Sequence, residues 1–476
     1  AIQTRYASRL QAFYSVLAHH YQMAEERTQA VLYLQKAAEE ATRVYAFNEA
    51  ASLMEKAVEL LTGEEDRSQR AEVLRKLSVD AYLYSGQAEK AITAGIEACE
   101  LWRQLGNPGK EAESRLDVSF SFHWMGKEQE SLDYIKRALT CLEQVPEEIR
   151  LHAKAHVQWG LSATNSGNVL KALEELQIAD ELHARINNCD PFTSVVSLWA
   201  RSWCAFVSGT LQEMLNYASQ SAELCRSIYM FAWEPMMTYS EAWALMLMGQ
   251  LSEAARIARE TLEKALRHNA VGAQGWANLV LSFIAIQQGA WAEAERHAQE
   301  TIMLATIMHD DDLLARTFWG RSICAGWEGD WQRSIVHSLE ALRVAEHAGE
   351  ISLAYPYLLS QAAKAYFYSG DLEHAQAYLN RTLDFARTHN YRQLIAIGYR
   401  LQGRILQTQG DFEQANTAFK QSLAELASLH DEVEYARTQQ AYGLYFQARN
   451  QDDDQQHGLA MLQEATALFL RLGVKG

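Results

Sequence analysis

The sequence predicts an all-α fold, a right-handed solenoid of about eleven to twelve helix hairpins with a repeat of roughly 40 residues. Three observations carry that expectation. Nine glycines, Gly86, Gly126, Gly167, Gly209, Gly249, Gly289, Gly329, Gly370 and Gly410, return every 40 to 42 residues. Small side chains keep fixed offsets from them. Five residues after the glycine only Met214 breaks a series of Ala and Ser, and seven before it only Val79 breaks a series of Ala, Ser and Gly. The five prolines, Pro108, Pro146, Pro191, Pro235 and Pro356, stand 14 to 21 residues before a turn glycine, where one unit ends and the next helix begins.

Each element follows from these positions. Small residues at helical offsets let two antiparallel helices approach closely, while glycine supplies the left-handed backbone of the turn between them. These offsets, with turns such as Gly329-Asp330-Trp331, Gly370-Asp371-Leu372 and Gly410-Asp411-Phe412, resemble the tetratricopeptide repeat (TPR) over nearly the whole chain. The standard unit is about 34 residues, so a longer unit implies longer helices, each by under one turn.

Residues 66–430 form this superhelix by its period, and residues 431–476 read as a C-terminal capping hairpin with an acidic loop from Asn450 to His457. Residues 1–65 depart from the period. Leu17-Ala18-His19-His20-Tyr21, Ala30 through Glu39, and Asn48-Glu49-Ala50 through Leu61 are similar to the segment that follows the ATPase module of large bacterial signalling proteins of the STAND type. That group includes proteins with class III adenylate or guanylate cyclase domains at the front and a tetratricopeptide tail, and Leu468-Phe469-Leu470-Arg471-Leu472-Gly473 resembles their ends. The resemblance implies that residues 1–65 link to an ATPase module, that the chain is the sensor half of a signalling ATPase, and that nucleotide chemistry lies on other sequence.

Composition narrows the function classes. Lys and Arg number 43 against 60 Asp and Glu, a formal charge of −17, which is the wrong sign for a nucleic-acid surface. Cys99, Cys141, Cys189, Cys204, Cys225 and Cys324 include no CxxC pair, as expected of reduced cytoplasmic thiols. No run approaches the ~18 apolar residues of a membrane span. The expectation is a cytoplasmic protein with neither nucleic-acid nor membrane partners, and the resemblance above implies a bacterial one.

No catalytic set assembles, and no cofactor is expected. Gly106-Asn107-Pro108-Gly109-Lys110-Glu111 imitates a phosphate loop, but its spacing is wrong and Glu111 stands where a hydroxyl should meet magnesium. His19 and His20 are adjacent and so face different sides of a helix, without a carboxylate or cysteine at ligand spacing. His268, His309, His347, His389 and His430 recur 18 to 20 residues after a turn glycine, where helix capping explains them. Asp310-Asp311-Asp312 opens a helix, and Asp452-Asp453-Asp454 lacks the glycine and distal glutamate of a calcium loop. No metal site is expected.

One feature exceeds a purely structural account. Nine of the twelve tryptophans fall between Trp199 and Trp331. Ten, six and three residues before successive turn glycines stand Trp199, Trp203 and Phe206, then Tyr239 and Trp243, then Phe283, then Trp319. This spacing puts each set on one stripe of its helix, and in tetratricopeptide proteins the stripe lines the concave groove. Trp276 and Arg316, thirteen before their glycines, join it. Equivalent positions carry Lys76 and Asp80 near the start and Lys364, Arg400 and Arg404 near the end, so charge flanks the apolar centre. Six to eight aromatics left open would exceed the roughly 300–600 Å² patch of an ordinary monomer. Two readings stay open: a partner covers the stripe, or the superhelix covers it.

The expected function is a non-catalytic sensor that binds a peptide, small molecule or protein in the aromatic groove and regulates an attached ATPase or cyclase. The alternative is a free-standing scaffold for protein assembly or homo-oligomerisation.

Overall fold

The computed structural model describes residues 7–186, 190–347, 352–451 and 453–476; Cys189 and Asp452 lie outside them. Among the described residues the chain is all-α, without strands, and no helix is long and apolar enough to cross a membrane. Two compact units divide it. Unit 1 comprises Ala1–Ser162, Glu174–Thr193 and Lys264–Gly272, and unit 2 comprises Ala163–Leu173, Ser194–Glu263 and Ala273–Gly476.

Unit 1 holds α1 (Tyr14–Met23), α2 (Arg27–Arg43), α3 (Phe47–Leu60), α4 (Arg67–Lys76), α5 (Ala88–Gln104), α6 (Pro108–Trp124), α7 (Glu128–Leu142) and most of α8 (Ile149–Asn165). The helix α9 (Val169–His183) is divided between the units. Unit 2 takes most of α10 (Pro191–Ser208), all of α11 (Leu211–Ser227) and α12 (Glu234–Leu247), most of α13 (Leu251–Arg267) and α14 (Val271–Gln288), and α15 (Trp291–Met308). It continues with α16 (Asp311–Trp327), α17 (Trp331–His347), α18 (Tyr355–Ser369) and α19 (Leu372–Thr388). The last four are α20 (Arg392–Thr408), α21 (Phe412–Leu429), α22 (Glu432–Arg449) and α23 (Asp454–Leu472).

The Gly-Asp turn does two jobs. Gly370 closes α18 at φ 92°, its N–H donating to Phe367 O at 3.1 Å while Asp371 N–H donates to Tyr366 O at 3.0 Å. These two bonds satisfy carbonyls that the helix end would leave unpaired. Asp371 then caps α19 by accepting from His374 N–H at 3.1 Å, and Asp411 does the same for Gln414 N–H at 3.0 Å. Between hairpins, His309 and His430 occupy the left-handed C-cap position themselves. Asp310 caps α16 through Leu313 N–H at 2.9 Å, and Asn107 caps α6 through Lys110 N–H at 3.1 Å, so the phosphate-loop imitation is an inter-helix turn.

The small-residue seats are hydroxyl bridges as well as spaces. In unit 2, Ser282 Oγ donates to Ala294 O at 2.9 Å and Ser322 Oγ donates to Ser334 O at 2.8 Å; in unit 1, Ser119 Oγ meets Ser131 Oγ at 3.0 Å. Val79 breaks the rule for a physical reason. Leu77–Tyr82 forms one π-helical turn, which inserts a residue into the register. Ser78 thereby takes the seat that Val79 would have filled, fully buried, and donates to Ala91 O at 2.7 Å.

Unit 2 also closes on itself. Gly167, Gly209 and Gly249 lie against Tyr391, Leu429 and Leu472, residues 220 to 224 positions further along the chain. At roughly 40 residues per repeat, about five and a half hairpins bring the stack back onto its own turns. A methyl group at Gly167 would stand 2.7 Å from the Tyr391 hydroxyl. The interior of unit 2 is therefore walled by its own helices rather than left as an open groove.

Candidate ligand cavity

All nine residues of the predicted stripe lie in unit 2, on the first helices of successive hairpins. Trp319 is half-buried and the other eight are 2–8% exposed. They form a continuous aromatic ladder. Trp203 meets Trp243 at 6.4 Å between ring centres, Trp243 meets Phe283 at 5.1 Å, Phe283 meets Trp319 at 5.0 Å, and Trp319 meets Tyr357 at 5.6 Å. Phe206 stacks on Tyr357 at 5.4 Å, although 151 positions separate them, because the stack curls back on itself.

The structure splits the nine into two groups. Trp199, Trp203, Tyr239, Trp276 and Arg316 form a packed cluster. Tyr239 stacks on Trp276 at 5.2 Å, Trp199 Nε1–H donates to Ser240 Oγ at 3.2 Å, and the Arg316 guanidinium lies 5.2 Å from Trp276 and 5.8 Å from Trp203. A guanidinium over indole faces, neutralised by Asp312, fills this part from within.

The remaining four, Phe206, Trp243, Phe283 and Trp319, line one side of a cavity of about 160 Å³. Tyr357, the next ring of the ladder, joins them, and Gln361, Lys364, Gln393, Arg400, Glu434 and Arg437 supply the cavity's polar lining. A second cavity of about 150 Å³ adjoins it, sharing Trp327, Ser360, Lys364, Ile397, Arg400 and Arg437 and adding Tyr368 and Arg404.

Electrostatics distinguish the polar wall. Glu434 is buried and ion-paired to Arg400 at 2.7 Å and also to Arg437, and these two charges hold its carboxyl down to about 2 against the opposing effect of burial. Arg437 further donates to Gln287 Oε1 at 2.6 Å. Lys364 has no hydrogen-bonding or ionic partner among the described residues; its ammonium lies 5.8 Å from the Trp327 ring. Burial first, then the charges of Arg437 and Arg400, depress it to about 8. Arg404 likewise lacks a carboxylate and lies over Phe367 at 5.7 Å. Trp243 lines the cavity, while its Nε1–H is buried and has no acceptor among the described residues.

The sequence marked Lys364, Arg400 and Arg404 as charge flanking the stripe, and the structure brings the three to one wall. Lys76 and Asp80 lie in unit 1, where Lys76 pairs with Glu39 at 3.0 Å. Tyr357, Glu434 and Arg437 were missed. The aromatic ladder drifts along the helices, from six residues before the glycine at Trp203, Trp243 and Phe283 to ten at Trp319 and thirteen at Tyr357. Following that drift would have found Tyr357. Glu434 and Arg437 belong to α22, beyond the last glycine of the period. The described residues contain no group of three side chains placed to hold a metal ion.

No protein-family model matches the chain, and no curated protein matches it. Solved structures do. The chain is similar to a Rap protein complexed with competence and sporulation factor (TM-score 0.57, 11% identity, covering 76% of this chain and 99% of that one). It is similar to the Cut9–Hcn1 hetero-tetramer of the APC/C (TM-score 0.57, 13% identity, 96% and 87%). It is also similar to NprR in complex with its cognate peptide NprX (TM-score 0.51, 16% identity, 72% and 98%). These neighbours are TPR-like helical repeat proteins, and at such identities the likeness is one of architecture. The chain is an all-α, tetratricopeptide-like solenoid.

Proposed function

We propose that unit 2 is a non-catalytic recognition module that binds a peptide segment in its interior, anchored at the cavity bordered by Phe206, Trp243, Phe283, Trp319 and Lys364. The observation that carries this reading is the meeting of an aromatic wall and an under-neutralised cationic wall around unfilled space, which is the composition of a binding site rather than a packed core. Two of the architectural neighbours were solved with a bound factor or peptide, which favours the same class of ligand for this chain.

Coupling to an attached signalling ATPase or cyclase extends the reading and rests on the likeness of residues 1–65. It requires the ligand to prefer one state of the attached module, because equal affinity for both shifts nothing. The test is peptide binding by the full chain and by Trp319→Ala and Phe206→Ala. Trp319 and Phe206 contribute contact area at the cavity wall, so affinity should fall at least about tenfold in each. Unchanged affinity in both variants would remove the cavity from the function.

A further inference from the structure

The chain carries a formal charge of −17, yet the side chains that line the two adjoining cavities include four cations, Lys364, Arg400, Arg404 and Arg437, against one carboxylate, Glu434; Gly476 also lines the second cavity. Glu434 is shared by Arg400 and Arg437. Lys364 and Arg404 therefore line the space with no ion-pair partner among the described residues. A half-buried ammonium without a partner is unfavourable in the empty protein, because desolvation is not repaid by an ion pair. Lys364 and Arg404 would both be relieved by oxygen acceptors carrying negative charge.

We propose that the cavity takes a carboxylate joined to a bulky apolar side chain. The carboxylate lies against Lys364 with Arg404 beside it, and the apolar group packs against Phe206, Phe283 and Trp319. This deepens the peptide reading and rests on it. A peptide offers such a group in two ways, as its terminal carboxylate next to an apolar last residue or as an Asp or Glu side chain beside an aromatic one. The chemistry at the cavity is the same. The volume, about 160 Å³ with about 150 Å³ adjoining, fits one such residue and its acid rather than a long segment.

Three probes separate the alternatives in calorimetric titrations of the full chain: N-acetyl-phenylalanine, N-acetyl-phenylalanine amide, and N-acetyl-aspartyl-phenylalanine amide. The free acid should bind about tenfold or more tighter than the amide if the terminal carboxylate is the anchor, and the aspartyl amide should do so if a side chain supplies it. In Lys364→Met/Arg404→Met the preference for acid over amide should shrink to within about twofold, with the amide affinity retained. Neither substitution strands a carboxylate, so this variant should melt no lower than the wild type. Should it melt early, Lys364→Gln alone gives the same comparison. Equal affinity for all three probes would overturn the anionic anchor and leave the peptide reading standing. Binding of none of them would overturn both.

Discussion

The Arg316 guanidinium donates to the Asp312 carboxylate at 2.9 Å within one turn of α16, at a site where Arg316 is only 4% exposed and lies over two indole faces. The pair occupies part of the stripe for which the sequence leaves two readings, coverage by a partner or by the superhelix itself. Removing one partner leaves the other charge buried and uncompensated. Arg316→Met should therefore cost about 3–5 kcal/mol, and adding Asp312→Leu should recover most of it. Urea denaturation of the two variants checks this; a single-variant cost below about 1 kcal/mol would mean that the cluster tolerates an open charge.

The closure of unit 2 predicts that equivalent turn glycines respond unequally. Gly167 (φ +74°) and Gly329 (φ +82°) share the left-handed backbone, so alanine at either is strained by about 1–2 kcal/mol. At Gly329 the new methyl meets open space, whereas at Gly167 it meets Tyr391 Oη at 2.7 Å. Gly167→Ala should cost about 1–3 kcal/mol more than Gly329→Ala. Matched thermal melts measure the difference, and equal costs would contradict the contact between turns separated by five and a half repeats.

Much of this architecture was legible because it repeats. Gly370 and Asp371 are readable as a turn and a cap since each satisfies a local backbone demand that recurs every unit. The curl of unit 2 was not legible, since Phe206 against Tyr357 and Gly167 against Tyr391 depend on small rotations accumulated over several repeats. The candidate site divides along the same line. Trp243, Phe283 and Trp319 follow from helical spacing, as do Lys364 and Arg400, but the partition between the packed cluster around Arg316 and the cavity at Lys364 depends on which helix returns opposite each residue.

The π-helical turn at Leu77–Tyr82 makes a reversed prediction for two neighbours. Regular repeat spacing assigns the close-packed seat to Val79, whereas the inserted residue gives it to Ser78, whose hydroxyl donates to Ala91 O. Ser78→Val should cost about 1–3 kcal/mol through overpacking and a lost hydrogen bond, while Val79→Ala should stay within about 1 kcal/mol. Denaturant unfolding followed by circular dichroism distinguishes the two orders, and a larger cost at Val79 would place the helix in regular register.

Acid should weaken unit 2 through His297. Its ring, 4% exposed, contacts Asn278 Oδ1 through Nδ1 at 2.8 Å and Arg296 Nη2 through Nε2 at 2.8 Å. Burial first, then the Arg296 charge, lowers it to about 4 from the usual 6.5. Between those values the unfolded chain binds the proton and the folded one does not, so stability is complete above about pH 6.5 and falls as pH drops toward 4, by on the order of 2–3 kcal/mol. Asp310 acts oppositely: burial raises it to about 7, so its contribution is lost as pH rises through 7. The test is therefore the difference between wild type and His297→Gln across pH 4–7, which should narrow on acidification. A difference that does not change with pH would contradict a neutral buried imidazole.

Selection of random peptides on the full chain, followed by affinity measurement of the winners on Trp319→Ala, most directly tests whether unit 2 recognises peptides through its cavity. The account predicts winners pairing an apolar residue with an acid and losing about tenfold or more in affinity on that variant. Winners without this pairing that bind the variant as tightly as the wild type would contradict it.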